Sequence, residues 1–463
     1  MRLYLINPYN PLLNITKGRE SYWNQYIVWK PLSLLVLAGL TPPDWGIKII
    51  DENLGVPDYK FMPRPDLVGI TSFTSQVTRA YKIASEFRSH GVPVVMGGIH
   101  ATMCLEEALE QVDSVVTGEA ESIWAQLLED VRYGTLNQVY KGTRLEMDKV
   151  PFARHDLLTN GYRVGSIQTT RGCPLDCSFC SVTAFNGRTY RYRPIENVVQ
   201  ELKLIREKYV LIVDDNLIGT SKKHITRSKD LFRAMTSANL GKKWIAQVTI
   251  NMADDDELLM LAAKAGCAGV YIGFESPSVE GLEEVQKKFN IRKGIDFKTS
   301  IRRIHQHGIL VAGSFIMGLD VDDKGIGKQI ANLANYWGLD VINVHFLTPL
   351  PGTRLWEKME LNDNIVADEF PEDWKYYTLN FPVCRYKHLS WDDIRREYVI
   401  CLKTFYSYPQ ILRRVSNSLF KMHNPISILV TIGSNLYYRS TVQLYREKFQ
   451  GLNISRGEAI LKK

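Results

Sequence analysis

Two successive series of short apolar runs, each interleaved with helical patterning, constrain this chain more than any other feature. In the first, Leu3–Ile6, Ile47–Ile50, Leu67–Ile70, Val94–Met96 and Ser114–Thr117 are runs with little polar alternation. That is the pattern of strands covered on both faces. Between the third and fourth, Val77, Ala80, Tyr81, Ala84 and Phe87 recur at helical spacing, and Gly91 follows as a stop signal. Five strands with helices between them predict a doubly wound, Rossmann-like α/β domain, which binds ligands beyond the carboxyl ends of its strands. Asn7-Pro8, Asp51–Asn53, Thr71–Gln76, Gly97–His100 and Gly118-Glu119 lie at those ends. Such small and polar residues suit a site, but ordinary turns use them too.

Residues 141–162 read as a linker containing Pro151, and a second series then begins. Its strands are predicted at Ser166–Thr170, Val210–Val213, Trp244–Thr249, Gly269–Gly273, Leu310–Met317 and Val341–Phe346. Pro194 opens a helix whose Ile195, Val198, Val199, Leu202 and Ile205 share one face. Asp254 is the expected cap of the helix Glu257–Lys264, which stops at Gly266. Six such units predict a partial (βα)6 TIM-like barrel with its chemistry at the carboxyl ends. The chain, at 463 residues, is too long for one core. The expected organisation is residues 1–140, the linker, the barrel over 163–355, and a mostly helical C-terminal region over 356–463. Turns are expected there at Pro409, Pro425 and Gly433.

Three of the seven cysteines crowd into Arg171-Gly-Cys-Pro-Leu-Asp-Cys-Ser-Phe-Cys180, directly after the first barrel strand. A disulfide framework would be spread more evenly, so the cluster reads as a metal site. Cys173, Cys177 and Cys180 can wrap one corner of a cuboidal iron–sulfur cluster, each binding a different iron and leaving the fourth open. Structural zinc needs a fourth ligand, and the nearest preceding candidate, His155, lies across the linker.

This C-x3-C-x2-C loop on a partial βα barrel resembles the radical S-adenosylmethionine (SAM) superfamily. The resemblance implies a [4Fe-4S] cluster whose open iron chelates SAM and cleaves it to a 5′-deoxyadenosyl radical. It also implies SAM-binding roles at strand ends: Asp214, Asp215 and Asn216 toward the ammonium, Glu275 and Ser276 toward ribose or methionine, and Gly318 and Phe179 around the adenine. Helix capping is the other reading of the Asp214–Asn216 stretch. Over residues 1–355 the chain further resembles the branch with an N-terminal cobalamin-binding-type domain, which includes hopanoid methylases, an anaerobic tetrapyrrole cyclase and antibiotic C-methyltransferases. The stretches that carry this are Asp66–Ser72, Gly97–Thr102, Thr117–Glu121, the cysteine loop, Gly273–Ser276 and Thr348–Thr353. They imply cobalamin contacts from Thr71, Ser72, Gly97, Gly98, His100, Gly118 and Glu119, although His100 and Glu119 equally suit structural roles.

One departure matters. Many cobalamin domains carry D-x-H-x-x-G after the first strand, yet the segment from Asn7 to Lys30 has no His, and the first in the chain is His90. Cobalt would then take no lower His ligand from this loop. The expected reaction is cobalamin-dependent C-methylation of an unactivated carbon, with flavodoxin or ferredoxin as electron donor. Cobalamin-independent dehydration, cyclisation or carbon–carbon coupling is the alternative, and a non-catalytic iron–sulfur redox protein a further one. Cys384 is a candidate hydrogen-atom donor, or simply a buried thiol. Net charge is +7, and from Cys401 onward ten Lys and Arg face only Glu447 and Glu458. This basic stretch, with Pro425–Tyr438 between Lys421 and Arg446, reads as a packed amphipathic helix or as a contact for lipid, membrane surface or an anionic substrate. No nucleic-acid module is visible. Without a signal-like or membrane-length apolar run, a cytoplasmic location is expected.

Overall fold

A computed structural model describes residues 1–12, 29–291, 296–422 and 431–440. Two compact units emerge, each assembled from non-contiguous segments. Met1–Arg171, Arg191–Val213 and Asp368–Thr378 make the first; Gly172–Tyr190, Asp214–Ala367 and Leu379–Lys463 make the second.

The first unit is built on a parallel sheet of β1 (Arg2–Asn7), β2 (Gly46–Asp51), β3 (Leu67–Thr71), β4 (Val94–Gly97), β5 (Ser114–Thr117) and β6 (Val139–Lys141), in the order β2-β1-β3-β4-β5-β6. The five predicted strands are present within a residue or so at each end. The sixth was not expected: Val139–Lys141 pairs with Val115–Thr117 just where the linker was predicted to begin. The order reverses between β1 and β3, and such a switch point opens a crevice at the carboxyl ends. Leu3, Leu5, Leu35, Leu67, Trp124 and Leu127 fill the core on one side. The helix Val77–Ser89 buries Val77, Ala80, Tyr81, Ala84 and Phe87, the face its spacing predicts. This unit also holds β7 (Val164–Ile167), a two-residue antiparallel ribbon of β8 (Thr170–Arg171) and β9 (Arg191–Tyr192), and β10 (Tyr209–Ile212).

The second unit contains β11 (Lys243–Val248), β12 (Cys267–Glu275), β13 (Leu310–Met317) and β14 (Val341–Phe346), with β12 parallel to β11 and to β13, and β13 to β14. Within this unit the strands run β14-β13-β12-β11, and in the first unit β10 pairs with β7, all parallel and in the sequential order of a βα barrel. Its strands alternate sharply. Phe274, Phe315, Ile342, Val344 and Phe346 point toward the helical layer, where Phe274 and Phe315 pack against Trp337 at centroid separations of 5.3 and 6.1 Å. Tyr271, Ser314, Asn343 and His345 alternate with them and line the opposite, inner face.

Two predicted details are corrected. Asp255, not Asp254, caps the helix Asp256–Lys264, its carboxylate accepting from the Leu258 N–H. Three consecutive aspartates make the cap position ambiguous in sequence. Gly433 lies within a helix over 431–440 rather than at a turn, while Pro425 falls outside the described residues. Pro409 occupies the first turn of Tyr408–Met422, where a missing N–H costs no helical bond. Ser390 caps Trp391–Phe405 through the Asp393 N–H. Among the described residues no helix is long and apolar enough to cross a membrane.

Because Phe315 is fully buried between Phe274 and Trp337, Phe315→Ala should cost about 3–5 kcal/mol in chemical denaturation. Leu361→Ala, on a side chain 86% exposed, should cost less than about 0.5 kcal/mol.

Candidate active site and cofactor-binding residues

The cysteine loop is pinned along its length within the second unit. The Gly172 N–H donates to Asp215 Oδ2 at 3.0 Å, and the Tyr190 hydroxyl donates to the Leu217 carbonyl at 2.8 Å. Midway, the Ser178 N–H donates to Val285 O at 3.2 Å, its carbonyl accepts from Leu355 N–H at 3.1 Å, and Arg354 pairs with Asp176 at 2.9 Å. Cys173, Cys177 and Cys180 are all free thiols, Cys177 buried and the others partly so. Burial pushes all three thiols up, Cys177 to about 12, while the Lys287 ammonium pulls each of them down. Among the described residues no three Cys, His, Asp or Glu converge closely enough for a single metal ion. A cuboidal cluster asks for less, since each thiolate binds its own iron. Three free thiols near a buried cation fit an anionic cluster.

Lys287 had no predicted role. It is buried and pairs with Glu275 at 3.0 Å. Burial opposes its charge, but Glu275, then Cys177, raise its pKa above the ordinary lysine value. Glu275 itself ends β12 with a left-handed φ of 65°, a conformation non-glycine residues rarely take outside functional or tightly constrained sites. Gly273 makes this possible: a Cβ there would sit 2.1 Å from the Glu275 carboxylate and 3.2 Å from Lys287 Nζ. The ion pair therefore lies over the inner face of β12, within electrostatic reach of the cysteines. A buried pair aimed at the mouth of the barrel suits a zwitterionic ligand such as the methionine end of SAM.

The other SAM candidates divide. Asp214 is fully buried, and Asp215 holds the base of the cysteine loop. Asn216 accepts from Gly219 N–H at 3.2 Å, a turn-forming role. Ser276 bonds within its own turn, 3.3 Å from Ser278 Oγ, and the Gly318 N–H donates to Asp322 Oδ2 at 2.8 Å. Phe179 is half-buried in the loop. Cys384 is fully buried, its thiol donating to the Leu347 carbonyl at 3.4 Å.

In the first unit, Thr71, Ser72, Gly97, Gly98 and Gly118 gather at the ends of β3, β4 and β5. Gly98 has φ 96°, and a Cβ would lie 2.9 Å from Thr71 Oγ1 and 3.1 Å from the Ser72 nitrogen. No other residue fits this turn. The Ser72 hydroxyl beside it is buried without a hydrogen-bond partner among the described residues. An orphaned donor at a glycine-lined strand end fits a large polar ligand such as cobalamin. His100 and Glu119 are otherwise engaged. His100 is fully buried, with Nε2 at 3.2 Å from Glu107, whose other oxygen accepts from Trp374 Nε1 at 2.8 Å. Glu119 binds both ribbon strands, pairing with Arg171 at 3.0 Å and with Arg191 through two hydrogen bonds. Burial pushes Glu119 up, but Arg191 and Arg171 hold its carboxyl below the usual range.

Comparison with known proteins agrees with this geometry. A radical SAM superfamily model matches residues 167–334, and a B12-binding domain model matches residues 28–128. The chain thus carries a B12-binding domain and a radical SAM domain. It is similar to the bacteriochlorophyllide d C-8(2)-methyltransferase of Chlorobaculum tepidum, at 29% identity over 85% of this chain and 92% of that one. It is also similar to the hopanoid C-2 methylase of Rhodopseudomonas palustris, at 26% identity over 73% and 66%. In fold it resembles the cobalamin-dependent radical SAM enzyme OxsB, at TM-score 0.66 and 15% identity over 99% of this chain and 74% of that one. This radical SAM protein is thus an enzyme whose cofactor set is a [4Fe-4S] cluster, SAM and cobalamin.

The inner row of the barrel sheet was also unpredicted. His345 Nε2 lies 3.4 Å from the Tyr271 hydroxyl. Its ring is held neutral because burial lowers its pKa from 6.5 to about 4. Unfolding between those values releases a histidine that takes up a proton, so this contribution is whole above pH 6.5 and falls as the pH drops toward 4. Between pH 7 and pH 5 the loss should be about 2 kcal/mol. Denaturation midpoints at the two pH values should converge in His345→Gln by that amount relative to wild type.

Proposed function

We propose that this enzyme C-methylates an unactivated carbon of a small molecule in a cobalamin-dependent radical reaction. The observation that carries the reading is the pairing of a three-cysteine loop beside a buried Lys287–Glu275 pair with a glycine-lined strand end holding the orphaned Ser72 hydroxyl. When bound, the cluster and SAM supply a 5′-deoxyadenosyl radical for hydrogen abstraction, and cobalamin supplies a methyl carrier. The residues' own tasks are then distinct. Cys173, Cys177 and Cys180 hold three irons. Asp215 fixes the loop by accepting the Gly172 N–H. Lys287 and Glu275 orient the carboxylate and ammonium of SAM, with Gly273 leaving them room. Thr71, Ser72, Gly97, Gly98 and Gly118 cradle cobalamin. His100 and Glu119 support that cradle from behind, through Glu107 and the two ribbon arginines. The methyltransferase names of similar proteins support the reaction class.

The setting follows from the same chemistry. Seven free cysteines and a reducible cluster suit the cytoplasm, and a flavodoxin- or ferredoxin-type reductant would deliver the electron. A lipid, membrane or anionic-substrate role for the basic stretch would draw on Pro425–Val430 and Arg446, which lie outside the described residues, and on the side chain of Lys421, which does too.

Anaerobically reconstituted protein should show both iron–sulfur and corrin absorbance, form 5′-deoxyadenosine on reduction, and transfer a labelled methyl group from SAM to its substrate. Cys177→Ala should abolish 5′-deoxyadenosine formation. Iron–sulfur bands without corrin binding would sink the cobalamin part. Ser72→Ala removes an unpaired buried hydroxyl, so the apoprotein should melt no lower than wild type. Its cobalamin dissociation constant should nonetheless rise about tenfold, the worth of one hydrogen bond.

A further inference from the structure

The inner face of the barrel sheet carries polar atoms that none of the roles above uses. In register across the sheet, Gln247 faces Tyr271, Gly273 faces Ser314, Ser314 faces Asn343, and Ile316 faces His345. Ser314 and Asn343 lie beside the Tyr271 side chain, whose hydroxyl is 3.4 Å from His345 Nε2. Parallel strands covered on both faces are normally apolar throughout. Here the polar residues are confined to one face, with Ala312 and Ile316 among them. The Nδ1 atom of His345 is shielded from water and has no hydrogen-bond partner among the described residues. On β11, Ile245 is 47% exposed on the same face and Gln247 is exposed beside it.

These groups are all uncharged. Burial holds His345 neutral, and the neighbouring charges of Glu275 and Lys287 satisfy each other. A carboxylate or ammonium placed against the row would lose its hydration without meeting a counter-charge. A carbonyl or hydroxyl oxygen would lose far less. If the Tyr271 hydroxyl donates to Nε2, the ring proton sits on Nδ1, where it meets no acceptor among the described residues. Ile245 and Ile316 would cover the apolar body of such a molecule.

We propose that Tyr271, Ser314, Asn343 and His345 form the substrate-recognition wall of the barrel, taking an uncharged carbonyl- or hydroxyl-bearing group on a largely apolar molecule. The inference rests on the reading that the substrate reacts at this barrel. It assigns the specificity of that site to neutral hydrogen bonds rather than to ion pairing, which argues against an anionic group being read here.

The test is anaerobic saturation-transfer NMR on the full-length, cluster-reconstituted protein in its oxidised form. Cyclohexanone, cyclohexanecarboxylate and cyclohexylamine serve as probes of similar size. Cyclohexanone should bind, and its dissociation constant should rise at least fivefold in His345→Leu and in Tyr271→Phe. His345→Gln, which keeps a donor, should retain most of the affinity. Circular dichroism and iron content establish that each variant is folded, and two variants on different strands guard against the loss of one. No binding of the ketone by wild type, equal binding by both variants, or tighter binding of the carboxylate overturns the proposal. No turnover is needed, so this outcome is independent of whether the protein makes 5′-deoxyadenosine, on which the proposed function itself depends.

Discussion

A loop that must offer three sulfurs to one cluster has to be closed at its base, and that closure is the constraint on which the rest depends. The short antiparallel ribbon of β8 and β9 supplies too few backbone bonds to hold a long excursion alone. Arginines from both strands reinforce it: Arg171 and Arg191 converge on Glu119, and Arg171 also pairs with Glu121 at 2.8 Å. Burying such charges is costly unless every one is matched, so the arrangement tolerates little else. Removing Glu119 would leave two guanidinium groups facing each other in a half-buried site. Its value therefore lies in fixing the register of the ribbon more than in net stability. A carboxylate at a glycine turn, which looked available to a cofactor, is committed to architecture.

The same logic explains the barrel mouth. Glu275 adopts a backbone conformation that β-strands exclude, and Gly273 gives up a side chain so that the carboxylate can fold back over the sheet. Lys287, from the segment after β12, neutralises it. Neither residue alone would be stable there. Together they put a matched pair of charges within electrostatic reach of three thiols, an arrangement suited to a ligand carrying both signs.

What could be read from the sequence follows from how local each signal is. Short, mostly apolar runs bounded by polar turns announce strands, so Leu310–Met317 and Val341–Phe346 were delimited to the residue. The cysteine loop is a spacing, and spacing is fully local. Val139–Lys141 escaped because three residues at a sheet edge carry no periodicity. Lys287 escaped because its importance is an encounter with Glu275 across a turn, and in sequence it is one of two adjacent lysines resembling a solvated surface. The inner wall had left a trace. Asn343 and His345 interrupt an otherwise apolar strand at period two, and Ser314 on β13 and Tyr271 on β12 continue the row. A strand covered on both faces has no reason to alternate unless one face looks into a site.

That trace also bears on how selectivity arises. Ser72 Oγ and His345 Nδ1 are buried atoms left without hydrogen bonds among the described residues. Each such atom costs about 1–3 kcal/mol relative to a satisfied one. Where a bound molecule meets such an atom the cost is recovered, and only a molecule with the complementary atom in the right place can do so. An apolar pocket distinguishes ligands weakly, by a methylene at a time, whereas an unpaired buried donor rejects any molecule lacking the acceptor by orders of magnitude. In a reaction started by a radical able to attack almost any C–H bond, selectivity cannot come from the reagent. It has to come from where the wall holds the substrate, and neutral, directional hydrogen bonds fix position more sharply than screened charges do.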